Sequence, residues 1–70
     1  MNTRLLEAKM VEHGYTVENL SSELDMSPAT FWRKKSGQSD FYRKEIRTIR
    51  RLLKLTADDV DAIFFADELT

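Results

Sequence analysis

Cysteine is absent from this 70-residue chain, proline and histidine each occur once, and glycine occurs twice. Without cysteine there is no disulfide framework and no thiolate metal site, so the core must hold itself together or be helped by oligomerisation. Scarce glycine and proline, with no alternating apolar stretch, argue for an all-helical fold. No apolar run approaches the about 20 residues of a membrane span, and the first residues lack the apolar block of a signal peptide. The expectation is a cytoplasmic chain with no membrane partner. One histidine and no glycine-rich phosphate loop leave no convergent catalytic constellation. The expectation is therefore no enzyme, no cofactor, no metal and no small-molecule substrate. The length suits a single domain over residues 1–70, a compact five-helix unit with one modest core.

What is present is concentrated between Thr16 and Gly37, TVENLSSELDMSPATFWRKKSG. A helical period from Val17 places Val17, Leu20, Ser21 and Leu24 on one side, opposite Glu18, Asn19, Ser22 and Glu23, with Thr16 as N-cap. The pattern breaks at Asp25. Ser27 then offers a capping hydroxyl, and Pro28 follows at the first helical position, where its missing N–H costs nothing. A second helix thus begins about three residues after the first ends, the connection of a helix-turn-helix with a steep crossing. Ser21 is the small residue that lets the two helices approach. Turning the second helix by about 100° per residue sets Pro28, Phe31, Trp32 and Lys35 on a packing arc and Ala29, Thr30, Arg33 and Lys34 on an exposed one. The exposed set suits the major groove of duplex DNA: Arg bonds a guanine edge bidentately, Thr donates or accepts, and Ala touches a thymine methyl. A solvated face of an ordinary bundle helix carries similar residues, so these four alone leave both readings open.

The net charge is only −1, but its distribution is lopsided. Residues 1–32 carry two cationic and five anionic side chains, residues 33–54 nine cationic and two anionic, and residues 55–70 five anionic and none cationic. Such a charge dipole presents a basic face to phosphate despite a near-neutral total. Much of the positive charge falls on a helix expected from about Arg43 to Leu55. There Ile46, Ile49, Leu52 and Leu53 share one arc, and Arg43, Lys44, Arg47, Arg50, Arg51 and Lys54 fill the other.

The remaining segments read as support. Residues 2–13 form a first helix capped by Asn2 or Thr3 and stopped by Gly14, with Leu6 and Met10 in the core and Leu5 alongside. His13, in its last turn, meets the helix's carbonyl end. Gln38-Ser39-Asp40 is a polar loop whose end Phe41 anchors. Thr56 caps a last helix whose first turn holds Asp58 and Asp59, favoured there by the macrodipole. Val60, Ile63 and Phe64 pack. Phe65 points elsewhere and, with Leu69 in the tail, is the candidate contact of a homodimer.

Taken in order, Thr16, Leu20, Ser21, Leu24, Asp25, Met26, Ser27, the helix through Lys35, the closing Ser36-Gly37 and the later Phe41-Tyr42-Arg43-Lys44-Glu45-Ile46 resemble the Cro and phage-repressor (XRE-like) helix-turn-helix family. The resemblance covers nearly the whole chain. It implies a lambda-repressor-like DNA-binding domain with its helix-turn-helix at about residues 16–36. It also implies a small transcriptional regulator, a repressor of phage or mobile-element type, whose partner is double-stranded DNA. The helix from Pro28 to Lys35 then reads bases through Ala29, Thr30, Arg33 and Lys34. Phosphate contacts fall on Ser27, Gln38, Arg43, Lys44 and Arg47. A two-fold homodimer would meet a palindrome with half-sites one helical turn apart.

The chain departs from the family at four places. Asp25 replaces the usual turn glycine, although aspartate tolerates a left-handed backbone better than most residues. Val17 replaces a glutamine that bonds phosphate. Tyr42 stands where relatives place a threonine or serine cap, so either Asp40 caps that helix or its start frays. The arginine–glutamate pair of some relatives falls on Met10 and Lys35 and cannot form; Lys35 is expected to lay its stem over Met10 or Trp32 and carry its ammonium outward. A second reading keeps the fold but makes it a protein-interaction module, an antirepressor or antitoxin, using its charge dipole, acidic C-terminal segment and Phe65.

Overall fold

Five caps set where the helices begin. In the computed structural model, which describes residues 1–65, the helices are α1 (Thr3–Glu12), α2 (Val17–Glu23), α3 (Pro28–Lys35), α4 (Arg43–Leu52) and α5 (Ala57–Val60). The last runs on into a π-helical turn, Asp61–Phe65. Among the described residues there is no strand, and no helix is long and apolar enough to cross a membrane. The domain is all-α. Leu69 lies outside the described residues.

Asn2, Thr16, Ser27 and Thr56 each accept a backbone N–H from the first turn of the helix that follows, at Leu5, Asn19, Thr30 and Asp59. These are the donors that a helix start otherwise leaves unpaired. At α4 neither sequence alternative holds. Asp40 does not cap and the start does not fray; Tyr42 is the N-cap residue, and the Glu45 carboxylate accepts its N–H at 2.9 Å. This is the reaching-back half of a capping box.

The first four helices end by the same device. In each, the residue after the C-cap donates to the carbonyl three positions before it, and the next residue donates to the carbonyl five positions before itself. The pairs are Gly14 to Val11 with Tyr15 to Met10, Asp25 to Ser22 with Met26 to Ser21, Gly37 to Lys34 with Gln38 to Arg33, and Lys54 to Arg51 with Leu55 to Arg50. This Schellman closure needs a left-handed residue at its centre. Gly14 and Gly37 supply it at φ 75° and 93°, Asp25 and Lys54 at φ 60° and 52°. The Asp25 turn agrees with the sequence reading. The Lys54 turn corrects it: α4 stops at Leu52 instead of reaching Leu55, because Leu55 turns inward to the core and Thr56 must be free to cap α5.

The core gathers Leu6 and Met10 from α1, Leu20 from α2, Phe31 from α3, Phe41 from the loop, Ile49 and Leu53 from α4, Leu55, and Val60 and Ile63 from the C-terminal turns. Phe41 links Phe31 to Phe64 edge-on, with ring centroids 5.7 Å away in each case. Ile46, Leu52 and Phe64, expected inside, are half-buried and packed against this cluster. The N-terminus closes the assembly. The Asn2 N–H donates to the Ile63 carbonyl at 2.7 Å, and the Thr3 hydroxyl donates to the Lys35 carbonyl at 2.9 Å. One end of α1 thereby holds both the π-turn and the end of α3.

Candidate nucleic-acid interface

α3 is built to be held from behind. Its inward side carries Phe31, wholly buried, flanked by Lys34 and Lys35, only 7% and 2% exposed. Lys34 reaches α4, its Nζ 2.8 Å from a Glu45 carboxylate oxygen and 3.9 Å from the centre of the Tyr42 ring. Lys35 reaches α1 and pairs with Glu7, its Nζ 4.0 Å from the centre of the Trp32 ring. A buried ammonium is tolerated only when paired and hydrogen-bonded, and each of these has a carboxylate and an aromatic face. Both lie in the last turn of α3, where the helix's carbonyl end favours cations. The adjacent lysines thus diverge, one fastening the helix to α4 and the other to α1.

Two expectations fall here. Lys34 is not on the exposed arc and is in no position to read bases, because its charge is spent on Glu45. Lys35 does not carry its ammonium outward; Met10 and Lys35 form no ion pair, and Lys35 is tied to α1 through a different residue, Glu7. The packing arc is also rotated. Trp32, expected to pack, is 52% exposed. Pro28, also expected to pack, is exposed as well, and the outer face of α3 consists of Ala29, Trp32 and Arg33, continued by the exposed C-cap residue Ser36.

Thr30 lies at the flank, half-buried. The Ser27 hydroxyl donates to the Thr30 hydroxyl at 3.1 Å, and an Arg33 guanidinium N–H donates to the same oxygen at 3.3 Å. Ser27 also accepts the Thr30 N–H at 3.2 Å. Both hydroxyls are thus engaged within α3. The Thr30 oxygen holds one Arg33 guanidinium N–H beside the helix and leaves the other N–H donors open.

The residues expected to touch phosphate separate into groups. Gln38 closes α3 through its backbone and is exposed. Arg43 and Arg47 lie with Arg50 along one edge of α4, beside Phe41, Ile46, Val60 and Phe65. Lys44 occupies the other edge with Thr48, facing Glu23, Leu24 and Asp25 at the end of α2. Arg43, Lys44 and Arg47 are exposed, and none has a side-chain partner among the described residues. Arg50 is committed locally, its Nε donating to the Leu55 carbonyl at 3.3 Å. Phe65 is 65% exposed.

Elsewhere the polar groups are structural. His13 caps the end of α1, with its Nε2 3.9 Å from Glu12. Asp59 accepts the Thr56 N–H at 3.0 Å, which holds its carboxyl below the usual range, against a smaller cost of leaving water; the Thr56 hydroxyl and Lys9, 3.8 Å away, act with that hydrogen bond. Comparison with protein-family models, curated proteins and solved structures gives no match for this chain.

Proposed function

We propose that this chain is a sequence-specific, double-stranded-DNA-binding transcriptional regulator of repressor type, from a phage or mobile element, working in the cytoplasm. α3 enters the major groove with Ala29 and Arg33 towards the bases. Gln38, Arg43, Lys44 and Arg47 meet the phosphate backbone. The observation that carries the reading is the division of α3: every charge on its inner side is neutralised inside the protein, while Arg33 on its outer side is braced by Thr30 with donors to spare. A braced guanidinium suits bidentate contact with guanine, and such contacts discriminate bases by about 1–3 kcal/mol. Arg43, Lys44 and Arg47, without a side-chain partner among the described residues, suit counterion-releasing contacts with phosphate. Two copies on a palindrome, with Phe65 at or near their contact, double the recognised length.

Selection of retained duplexes from a random pool at moderate salt tests this. The expected result is an enriched palindrome, with Arg33→Ala relaxing preference at defined positions and Arg43→Ala weakening all duplexes alike. Equal loss of preference in both variants removes the division of labour. The exposed Phe65, beside Arg43, Arg47 and Arg50, favours one alternative, a module that binds a protein partner as antirepressor or antitoxin. Absence of any retained duplex even at low salt selects that reading.

A further inference from the structure

We propose that Trp32 is a base-reading residue and that the duplex sites this chain selects place a thymine against its indole ring. The inference rests on the reading of α3 as a major-groove helix and adds the class of base that the helix meets.

Trp32 is the chain's only tryptophan and the largest side chain on the outer face of α3, between Ala29 and Arg33 along one exposed stripe. It is not exposed through looseness. The Lys35 ammonium that lies over its ring belongs to a side chain only 2% exposed and tied to Glu7 on α1, so the indole is propped from behind by a buried, ion-paired group. A propped ring presents its outer surface without losing rotamer freedom on binding, which is where aromatic side chains gain over flexible ones. The indole N–H has no hydrogen-bond partner among the described residues and remains available as a donor.

These two properties, an apolar plate and a single donor, match one base in the major groove. Thymine alone of the four common bases carries an apolar group there, its C5-methyl, and beside it O4 is an acceptor. Cytosine presents an amino donor at the equivalent place, which would oppose the indole N–H. Arg33, one residue on, then meets a neighbouring guanine, and the small Ala29 lets the backbone come close enough for the ring to reach. Thus the stripe reads as an apolar contact followed by a bidentate one.

The experiment uses the duplex enriched from the random pool, with each thymine replaced in turn by uracil, which keeps O4 and loses the methyl. One or two positions are expected to weaken wild-type binding about fourfold, the worth of one buried methyl-sized group. Trp32→Ala is expected to bind thymine and uracil duplexes equally, and Trp32→Phe, which keeps a ring and loses the N–H, to retain the methyl effect. Fluorescence of the wild-type protein gives a readout that needs no variant: Trp32 emission should shift on adding the thymine duplex and shift less with uracil. An enriched duplex that is indifferent to uracil at every position, or a Trp32→Ala protein as sensitive to uracil as the wild type, overturns the inference and leaves the DNA-binding reading standing. If no duplex is enriched, both fall.

Discussion

The cations at the end of α3 and those along α4 differ in one respect, and the difference separates framework from surface. Lys34 and Lys35 are buried, and each is paired with a carboxylate on another helix. Arg43, Lys44 and Arg47 are exposed and have no side-chain partner among the described residues. All five belong to the same basic stretch, and nothing in their chemistry sorts them. What sorts them is whether an acid from elsewhere in the fold reaches them. A positive charge already satisfied holds helices in place; one left unsatisfied is available to a partner.

The sharpest break of this contrast is Lys34→Ala. It strands Glu45, half-buried at the start of α4, and is expected to cost about 3 kcal/mol in denaturant unfolding, as for other broken buried pairs. Lys34→Met combined with Glu45→Gln removes both charges while keeping an acceptor for the Tyr42 N–H, and should recover most of that loss. A double variant no better than the single would mean that the pair's charges are not what Lys34 contributes. On α4 the expectation inverts. Arg47→Ala should change stability by no more than about 0.5 kcal/mol, while lowering the salt slope of duplex binding by about 1.

The contrast was only half legible in the sequence. Caps at Asn2, Thr16, Ser27 and Thr56, and the left-handed turn at Asp25, are local events governed by residues within one turn, and they lie where the pattern places them. The rotation of α3 is not local. With Phe31 as its one apolar anchor of certain direction, the helix could roll either way, and the apolar tag on Trp32 pulled the expected arc towards it. The deciding partners, Glu7 and Glu45, are 28 and 11 residues from the lysines they bind. No periodicity reports a pairing at such a distance. A usable signal existed for Glu45, which stands three residues after Tyr42, where a capping acid belongs. For α4 the helical wheel runs on smoothly through Lys54, and only the Thr56 cap behind it marks the stop.

Smaller effects sharpen the same distinction between residues serving the fold and residues left free. Lys54→Gly removes a left-handed strain of about 1–2 kcal/mol while adding chain entropy to the unfolded state, so a net gain of about 0.5 kcal/mol in thermal or denaturant unfolding is expected. Asp25→Gly should gain less. The smallest effect is a pH dependence. Asp59 is held below its ordinary pKa of 3.8 in the folded state, so its contribution is complete above that value and disappears as the pH falls through the lowered one. Asp59→Asn should therefore flatten the acid limb of the stability profile and leave its neutral-pH shape unchanged.

The repeated closure of the first four helices also bears on how fast the chain assembles. Each stop is made from hydrogen bonds within six residues of chain, so the closures of α1 to α4 need no contact distant in sequence, although helices this short persist only once they pack. The contacts distant in sequence are the core around Phe31 and Phe41 and the bond from Asn2 to the Ile63 carbonyl. Refolding in a single phase on the microsecond-to-millisecond scale of locally wired helical domains follows. A protein that refolds on that scale can be remade after each transient unfolding well before it meets a protease.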